Sequence, residues 1–138
     1  MEIRPFQLSD EGAVVALWDR CGLLRPTNDP RKDIRRKMGV RPDLFLVGVE
    51  GGRVVATAMA GFEGHRGWLN YVAVDPTLQR RGLATQIMGE TERQLRAAGC
   101  PKINLQVRVH NSGAIEFYRR LGYSVDEVVS MGKRLETD

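Results

Sequence analysis

Two hydrophobic periods share this chain, and they meet near its middle. Residues 68–74, Trp-Leu-Asn-Tyr-Val-Ala-Val, form an aromatic and β-branched run that predicts a strand, closed by Asp75-Pro76. Soon after, Ala84, Ile87, Met88, Thr91, Leu95 and Ala98 recur at helical spacing and predict a long amphipathic helix. Gly99 terminates it and Pro101 forbids its continuation. Upstream, Leu44 to Glu50 and Arg53 to Phe62 read as strands joined by a Gly51-Gly52 hairpin turn. A second turn, Glu63 to Gly67, leads back into the central strand and completes three antiparallel strands.

The flanks follow the same logic. Met1 to Leu8 predicts a short first strand. Ser9 or Asp10 caps a helix with Ala13, Val14, Leu17, Trp18 and Cys21 on one face, ended by Gly22. Asp29-Pro30 opens a short basic helix, with Asp as cap and Pro in the first position. Beyond the long helix come a strand over Lys102 to Val109 and a helix over Ser112 to Leu121. Terminal strands are expected near Tyr123 to Val129 and Met131 to Leu135. The strands before and after the long helix should lie parallel, by the crossover rule. The expected fold class is therefore α/β in the mixed α+β sense. It has a mostly antiparallel sheet of about six to seven strands and about four helices, in a single domain over residues 1–138.

Composition narrows the function. The 21 basic and 17 acidic residues give a formal charge of +4, a mild excess that suits a small anionic ligand. The chain lacks helix-turn-helix spacing, an aromatic RNA-binding motif and a dense basic patch, so nucleic acid is not the expected partner. Cys21 and Cys100 sit in no metal spacing and read as reduced thiols of a cytoplasmic protein. The amino-terminal residues do not read as a signal peptide, and no apolar run approaches the ~18 residues of a membrane span. Neither a metal nor a membrane is expected.

Two stretches carry candidate chemistry. Gln79-Arg80-Arg81-Gly82-Leu83-Ala84 joins the central strand to the long helix. The first turn of a helix has free N–H groups and the positive end of the dipole, so a basic, glycine-containing turn at that place is able to take a phosphate, although taken alone a glycine before a helix and a solvated basic turn are both ordinary. Gly82 allows close backbone approach, and small Ala84 keeps the helix start open. The second stretch is Asn111 to Tyr123, where Ala114, Phe117, Tyr118 and Leu121 share a helix face and Gly122 ends it. Periodicity alone makes Tyr118 a packed core residue and Asn111 a turn or cap residue.

Together these stretches resemble the GNAT superfamily of N-acetyltransferases. Val72-Ala73-Val74-Asp75-Pro76 with Gln79 to Ala84 looks like its acetyl-CoA motif, Q/R-x-x-G-x-G/A. Asn111 to Tyr123 looks like the N-x-x-A-x-x-F-Y-x-x-x-G-Y/F motif that follows. The stretches CGLLRPTNDPRKDIRRKM, GHRG, GCPKI and GKRL are similar to the small YpeA-like bacterial subgroup. The resemblance implies a splayed parallel strand pair at the cofactor site and an acetyl-CoA-dependent N-acetyltransferase (EC 2.3.1.-). Its backbone groups from Arg80, Arg81, Gly82, Leu83, Ala84 and Thr85 would hold the CoA pyrophosphate. Val72, Ala73 and Val74 would pair with the pantetheine arm as an added strand, and one of their N–H groups would steady the oxyanion. Asn111 would bond the arm, and Tyr118 would protonate the departing thiolate. Whether Arg80 and Arg81 act through side chain or backbone stays open.

The resemblance does not supply a base. Peptide N-terminal acetyltransferases of the superfamily often carry a glutamate where this chain has Gln106. Glu63 and His65, in the turn before the central strand, are the candidates, with a relay water; as turn residues they are equally ordinary surface. Tyr71 or Asn70 would line the acceptor side, only one of them if the strand alternates strictly. The acceptor pocket would lie between residues 23–33 and 125–131. A primary amine of a small molecule or protein is the expected acceptor, and the family allows a homodimer. The alternatives are a low-turnover acyl-CoA-binding sensor or interaction domain and, less favoured, a nucleic-acid-binding domain.

Overall fold

The computed structural model describes all of residues 1–138. Its sheet has five strands in sequential order: β1 (Glu2–Pro5), β2 (Phe45–Glu50), β3 (Arg53–Phe62), β4 (Gly67–Val74) and β5 (Ile103–Leu105). Neighbours are antiparallel except β4 and β5, which are parallel, as the crossover through α3 (Leu83–Ala97) requires. The other helices are α1 (Glu11–Arg20), α2 (Pro30–Met38) and α4 (Ser112–Arg120). Local chemistry sets their ends. Asp29 accepts hydrogen bonds from the Arg31 and Lys32 N–H groups at the start of α2. Gly22 and Gly99 adopt left-handed conformations where α1 and α3 stop.

Each face of the sheet buries its own core. Val14, Leu17 and Trp18 of α1 and Ile34 of α2 pack with Phe45, Val47 and Met59. On the opposite face, Ile87, Met88 and Leu95 of α3 cover Leu44, Leu46, Ala56, Ala58, Ala60 and Leu69. Along β2, Phe45, Val47 and Val49 serve the α1 core and Leu46 the α3 core; in β3 the alternation runs regularly from Ala56 to Ala60, after a register slip at Val55 that leaves Val54 on the α1 side. Ala13, expected on the buried face of α1, is exposed, and half-buried Val15 packs against that core instead.

The alternation breaks inside β4. Leu69 belongs to the α3 core and Ala73 to the α1 core, although four residues apart they would share a face in a regular strand. The pairing with β3 slips between Thr57↔Ala73 and Met59↔Asn70, which leaves an extra residue on β4. Tyr71 supplies the bulge, at φ 52°, where a glycine is more common. A non-glycine residue in this conformation costs about 1–2 kcal/mol, so the surroundings of Tyr71 must hold it there.

Two expectations fail at the carboxyl-terminal side. The strand expected over Lys102 to Val109 is confined to Ile103–Leu105, and the strands expected near Tyr123 to Val129 and Met131 to Leu135 do not form. The sheet thus has five strands rather than about six to seven. Residues after Tyr123 are tethered by side chains, through Lys102–Asp126 at 3.1 Å, Gln106–Ser130, and Arg134–Asn28 at 2.9 Å. Val128 and Val129 remain 77% and 86% exposed. β-branched composition favours a pleated conformation, but a strand exists only where a neighbouring edge takes its backbone bonds.

Candidate active site

The chain leaves β4 through a tightly held turn. Asp75 is almost fully buried; its carboxylate accepts bonds from the Thr77 N–H and hydroxyl at 2.9 and 2.8 Å and pairs with Arg20 at 3.1 Å. The two Thr77 bonds, followed by Arg20, hold its pKa below the usual carboxylate value. Further on, Arg80 and Gly82 are both left-handed, at φ 66° and 75°, on either side of Arg81. Such reversals turn successive N–H groups toward a common point, the concavity that binds anions.

Helix α3 begins there with its donors free. The cap is Gly82, which has no side chain to occupy them, and the first internal bond runs from Gln86 N–H to the Gly82 carbonyl at 3.0 Å. The N–H groups of Leu83, Ala84 and Thr85 therefore have no helical partner. A serine or aspartate cap would have filled one of them. A Cβ on Gly82 would meet no protein atom within 4 Å, so the space in front of the helix is open.

The two arginines separate. Arg81 is committed to Glu50 through paired bonds of 3.1 and 3.0 Å, which lower the Glu50 pKa. Arg80 makes no side-chain hydrogen bond or ion pair, and its left-handed backbone shapes the turn. Substitution Arg80→Gly separates the two roles. With backbone donors holding the anion, acetyl-CoA affinity in calorimetry stays near wild type. A side-chain contact would instead show as a loss of about 1.5–3 kcal/mol, the worth of a charged hydrogen bond.

Beside this turn the sheet opens. β4 and β5 pair only at Gly67↔Ile103, Trp68↔Asn104 and Leu69↔Leu105, so residues 70–74 of β4 face no strand on that side. The bulge decides which donors look into the opening. Gly67 N–H points to β5, donating to Lys102, whereas Asp75 N–H points to β3, donating to Val55. In a regular strand these residues, separated by an even number, would point the same way. After the bulge, the N–H groups of Val72 and Val74 face the opening and that of Ala73 faces β3.

Tyr118 projects from α4 into the α3-side core, against Leu69, Met88 and Leu95, with the rings of Phe117 and Tyr123 meeting it edge-on. Burial raises its pKa to about 12, so its phenol stays protonated across the neutral range. Its hydroxyl makes no hydrogen bond within the protein, whereas those of Tyr71 and Tyr123 are bound to Asp33 and Glu92. Tyr118 also lines a cleft of about 1240 Å³ with Leu105, Gln106 and Val107 of the diverging strand. Asn111 caps α4, accepting from the Ala114 N–H at 3.2 Å, and its amide nitrogen donates to no protein group.

The expected bases are not brought to this place. Glu63 and His65 occupy the turn before β4, at the opposite end of that strand from Val72 to Val74. Six residues of strand span roughly 20 Å, beyond a single relay water. The Glu63 carboxylate accepts the N–H groups of His65 and Arg66 and so serves its own turn. Gln106 is a neutral amide that donates to Ser130.

Sequence reasoning missed a group behind the bulge. Trp18 and Thr57 are fully buried. The Trp18 Nε1–H donates to Thr57 Oγ1 at 2.9 Å, and the Thr57 hydroxyl donates to the Tyr71 carbonyl at 2.8 Å. The Trp18 and Tyr71 rings stack with centroids 3.7 Å apart, and the Tyr71 hydroxyl donates to Asp33 at 2.8 Å. The available signal was a single hydroxyl residue, Thr57, in the apolar run Val54 to Ala60. No group of three or more His, Cys, Asp or Glu side chains is placed to hold a metal ion, and no helix is long and apolar enough to cross a membrane.

Comparison with known proteins meets this geometry. Residues 12–123 match the acetyltransferase (GNAT) family. The chain is 46% identical to an acetyltransferase of Pectobacterium atrosepticum and 48% identical to one of Sodalis glossinidius. Both alignments cover 100% of this chain and 98% of the relative. Among solved structures, AAC(6')-Iy in complex with the bisubstrate analogue CoA-S-monomethyl-acetylneamine has the same fold, with a TM-score of 0.78. It is 18% identical, over 96% of this chain and 97% of that one. A helix opened by glycine, a sheet that parts beside it and a free phenol are thus found in a chain that belongs to the GNAT family of acetyltransferases.

Proposed function

We propose that this protein transfers the acetyl group of acetyl-CoA to a primary amine, of a small molecule or of a protein, by direct attack in a ternary complex. The observation that supports this most is the parting of β4 from β5 after Leu69, directly beside the glycine-capped start of α3. That arrangement offers two kinds of backbone donor in one groove. The N–H groups from Arg80 to Thr85 suit a pyrophosphate. The unpaired edge of β4 suits an extended pantetheine arm, with its two amides.

The reaction then divides among this chain's groups. The amine nitrogen forms a bond to the thioester carbon, and the Val72 N–H stabilises the charge that develops on the carbonyl oxygen. The C–S bond breaks as the adduct collapses. Tyr118 hydrogen-bonds the departing sulfur through its hydroxyl, and the thiolate so released takes its proton from solvent. The amine loses its protons to solvent, since Glu63, His65 and Gln106 offer no base at the opening. Asn111 keeps a free amide nitrogen for the arm. The same reading makes the protein cytoplasmic, with Cys21 and Cys100 reduced, one domain over residues 1–138, and a small anionic co-substrate rather than nucleic acid or membrane as partner. A second reading, an acyl-CoA-binding domain with little turnover, draws on the lack of a side-chain base.

Calorimetric titration with acetyl-CoA, beside CoA and ATP, tests the cofactor site. Micromolar affinity for acetyl-CoA with weak ATP binding is expected. A ligand present at 100 times its Kd should also stabilise the fold by about 2.7 kcal/mol. No heat and no thermal stabilisation at millimolar acetyl-CoA would sink the proposal. Binding would be followed by an amine screen read by thiol release, and silence across the screen would favour the second reading.

A further inference from the structure

Tyr71 holds a left-handed backbone that its side chain does not favour, and three contacts converge on it from different elements. The indole of Trp18 covers one ring face. Asp33 accepts from its hydroxyl and is itself held by Asn28 at 2.7 Å and Arg36 at 3.1 Å. Its carbonyl is the third point. A bulge removes a regular ladder partner, and here the Thr57 hydroxyl, from the neighbouring strand, donates to that carbonyl at 2.8 Å.

Thr57 has a single hydrogen to give. Its oxygen accepts from Trp18 Nε1–H at 2.9 Å, so the hydroxyl hydrogen is directed to Tyr71. Thr57 and Trp18 are fully buried, where water offers no substitute. The bond lies one peptide unit from the Val72 N–H. It therefore bears on the direction in which that donor points, because the bulge moves the outward-facing N–H groups from odd to even positions.

We infer that Thr57, oriented by Trp18, is a positioning residue for acetyl transfer: it locks the β4 bulge so that the Val72 N–H is aimed at the thioester carbonyl. This rests on the acetyl-CoA reading above. Thr57 does not touch the acetyl group; it acts through the backbone of Tyr71. Its removal should spoil recognition of the carbonyl while leaving the phosphate turn, more than a strand end away, intact.

The test uses the full chain and acetyl-CoA labelled with carbon-13 at the carbonyl, followed by isotope-edited infrared spectroscopy, with CoA affinity measured by calorimetry. In the wild type, bound acetyl-CoA should show its carbonyl band displaced to lower frequency than in free solution, as a hydrogen bond to the oxygen requires. In Thr57→Val the displacement should be lost with CoA affinity kept, and Thr57→Ser should restore it. A merely structural role would weaken CoA and acetyl-CoA together and leave the band of whatever remains bound unchanged. A folded Thr57→Val protein with the wild-type band overturns the inference, as does a wild-type complex whose band is undisplaced; in both cases the cofactor site stands. Failure of the wild type to bind acetyl-CoA at all removes the cofactor reading and this inference with it. If Thr57→Val does not fold, Trp18→Phe keeps a ring against Tyr71 but removes the donor that orients the hydroxyl. Part of the displacement should then disappear, and an unmoved band would overturn the proposal.

Discussion

Replacing Tyr118 by phenylalanine should slow acetyl transfer by about 10²–10³-fold, the usual cost of deleting one donor at a developing charge. Acetyl-CoA affinity and thermal stability should change little, because the ring keeps its place against Leu69, Met88 and Leu95 and the lost hydroxyl has no protein partner. The reason for a large kinetic effect is electrostatic. A thiolate leaving in a largely apolar setting is poorly solvated, and a phenol O–H offers a replacement for water. Burial raises the Tyr118 pKa to about 12, above the ~8.5 of a thiol. Complete proton transfer from the phenol is therefore uphill, and the benefit comes from the hydrogen bond as the C–S bond stretches. The direction of the shift also fixes the pH behaviour. A phenol with a raised pKa remains protonated through pH 10, so no alkaline fall in rate attributable to Tyr118 should occur below its folded value. The check is single-turnover thiol release with an amine found in the screen. Wild-type rates in a folded Tyr118→Phe protein would remove it from the mechanism.

Replacing Trp18 by alanine should cost about 3–5 kcal/mol of stability. Trp18 is fully buried, its ring is 6.2 Å from that of Phe45 and 3.7 Å from that of Tyr71, and its Nε1–H satisfies Thr57. Alanine would leave a cavity between α1 and the sheet, uncover one face of Tyr71 and free the Thr57 hydroxyl to rotate. The left-handed conformation at Tyr71 would then lack its main support. For a chain of this size the melting temperature should fall by about 10 °C or more. Denaturant or thermal unfolding measures it, and a loss below about 1 kcal/mol would show that the core absorbs the cavity. The effect should be larger than that of Thr57→Val, which removes one hydrogen bond and little volume.

The two largest effects differ in how visible they were. Tyr118 was legible because helix periodicity and the Asn111 to Tyr123 pattern fixed its element and its neighbours. Trp18 was legible only as an apolar residue on a helix face. Its second task depends on Thr57 and Tyr71, which lie on two other elements and meet it only when α1 packs on the sheet. Glu63 and His65 show the opposite case. Nearness in sequence to the central strand suggested nearness to its chemistry, but their turn lies at the end of β4 away from the part that β5 leaves unpaired. The expected terminal strands failed for a related reason. Composition reports how well residues suit a pleated strand, and not whether an edge is there to receive them.

What the sequence by itself determined is local. The order and type of nearly all elements follow from hydrophobic period, from caps such as Asp29 and from breakers such as Gly22 and Gly99, since these depend on residues within a few positions of one another. The open start of α3 belongs to this class, because a glycine cap and its free N–H groups are properties of one short stretch. Only the tertiary structure decided the bulge at Tyr71, the reversal of faces along β4, the place where β5 turns away, and the buried link from Trp18 through Thr57. Each of these depends on the register of strands and on packing between elements far apart in the chain. A one-residue slip in such a register exchanges the two faces of a strand, and no local pattern records it.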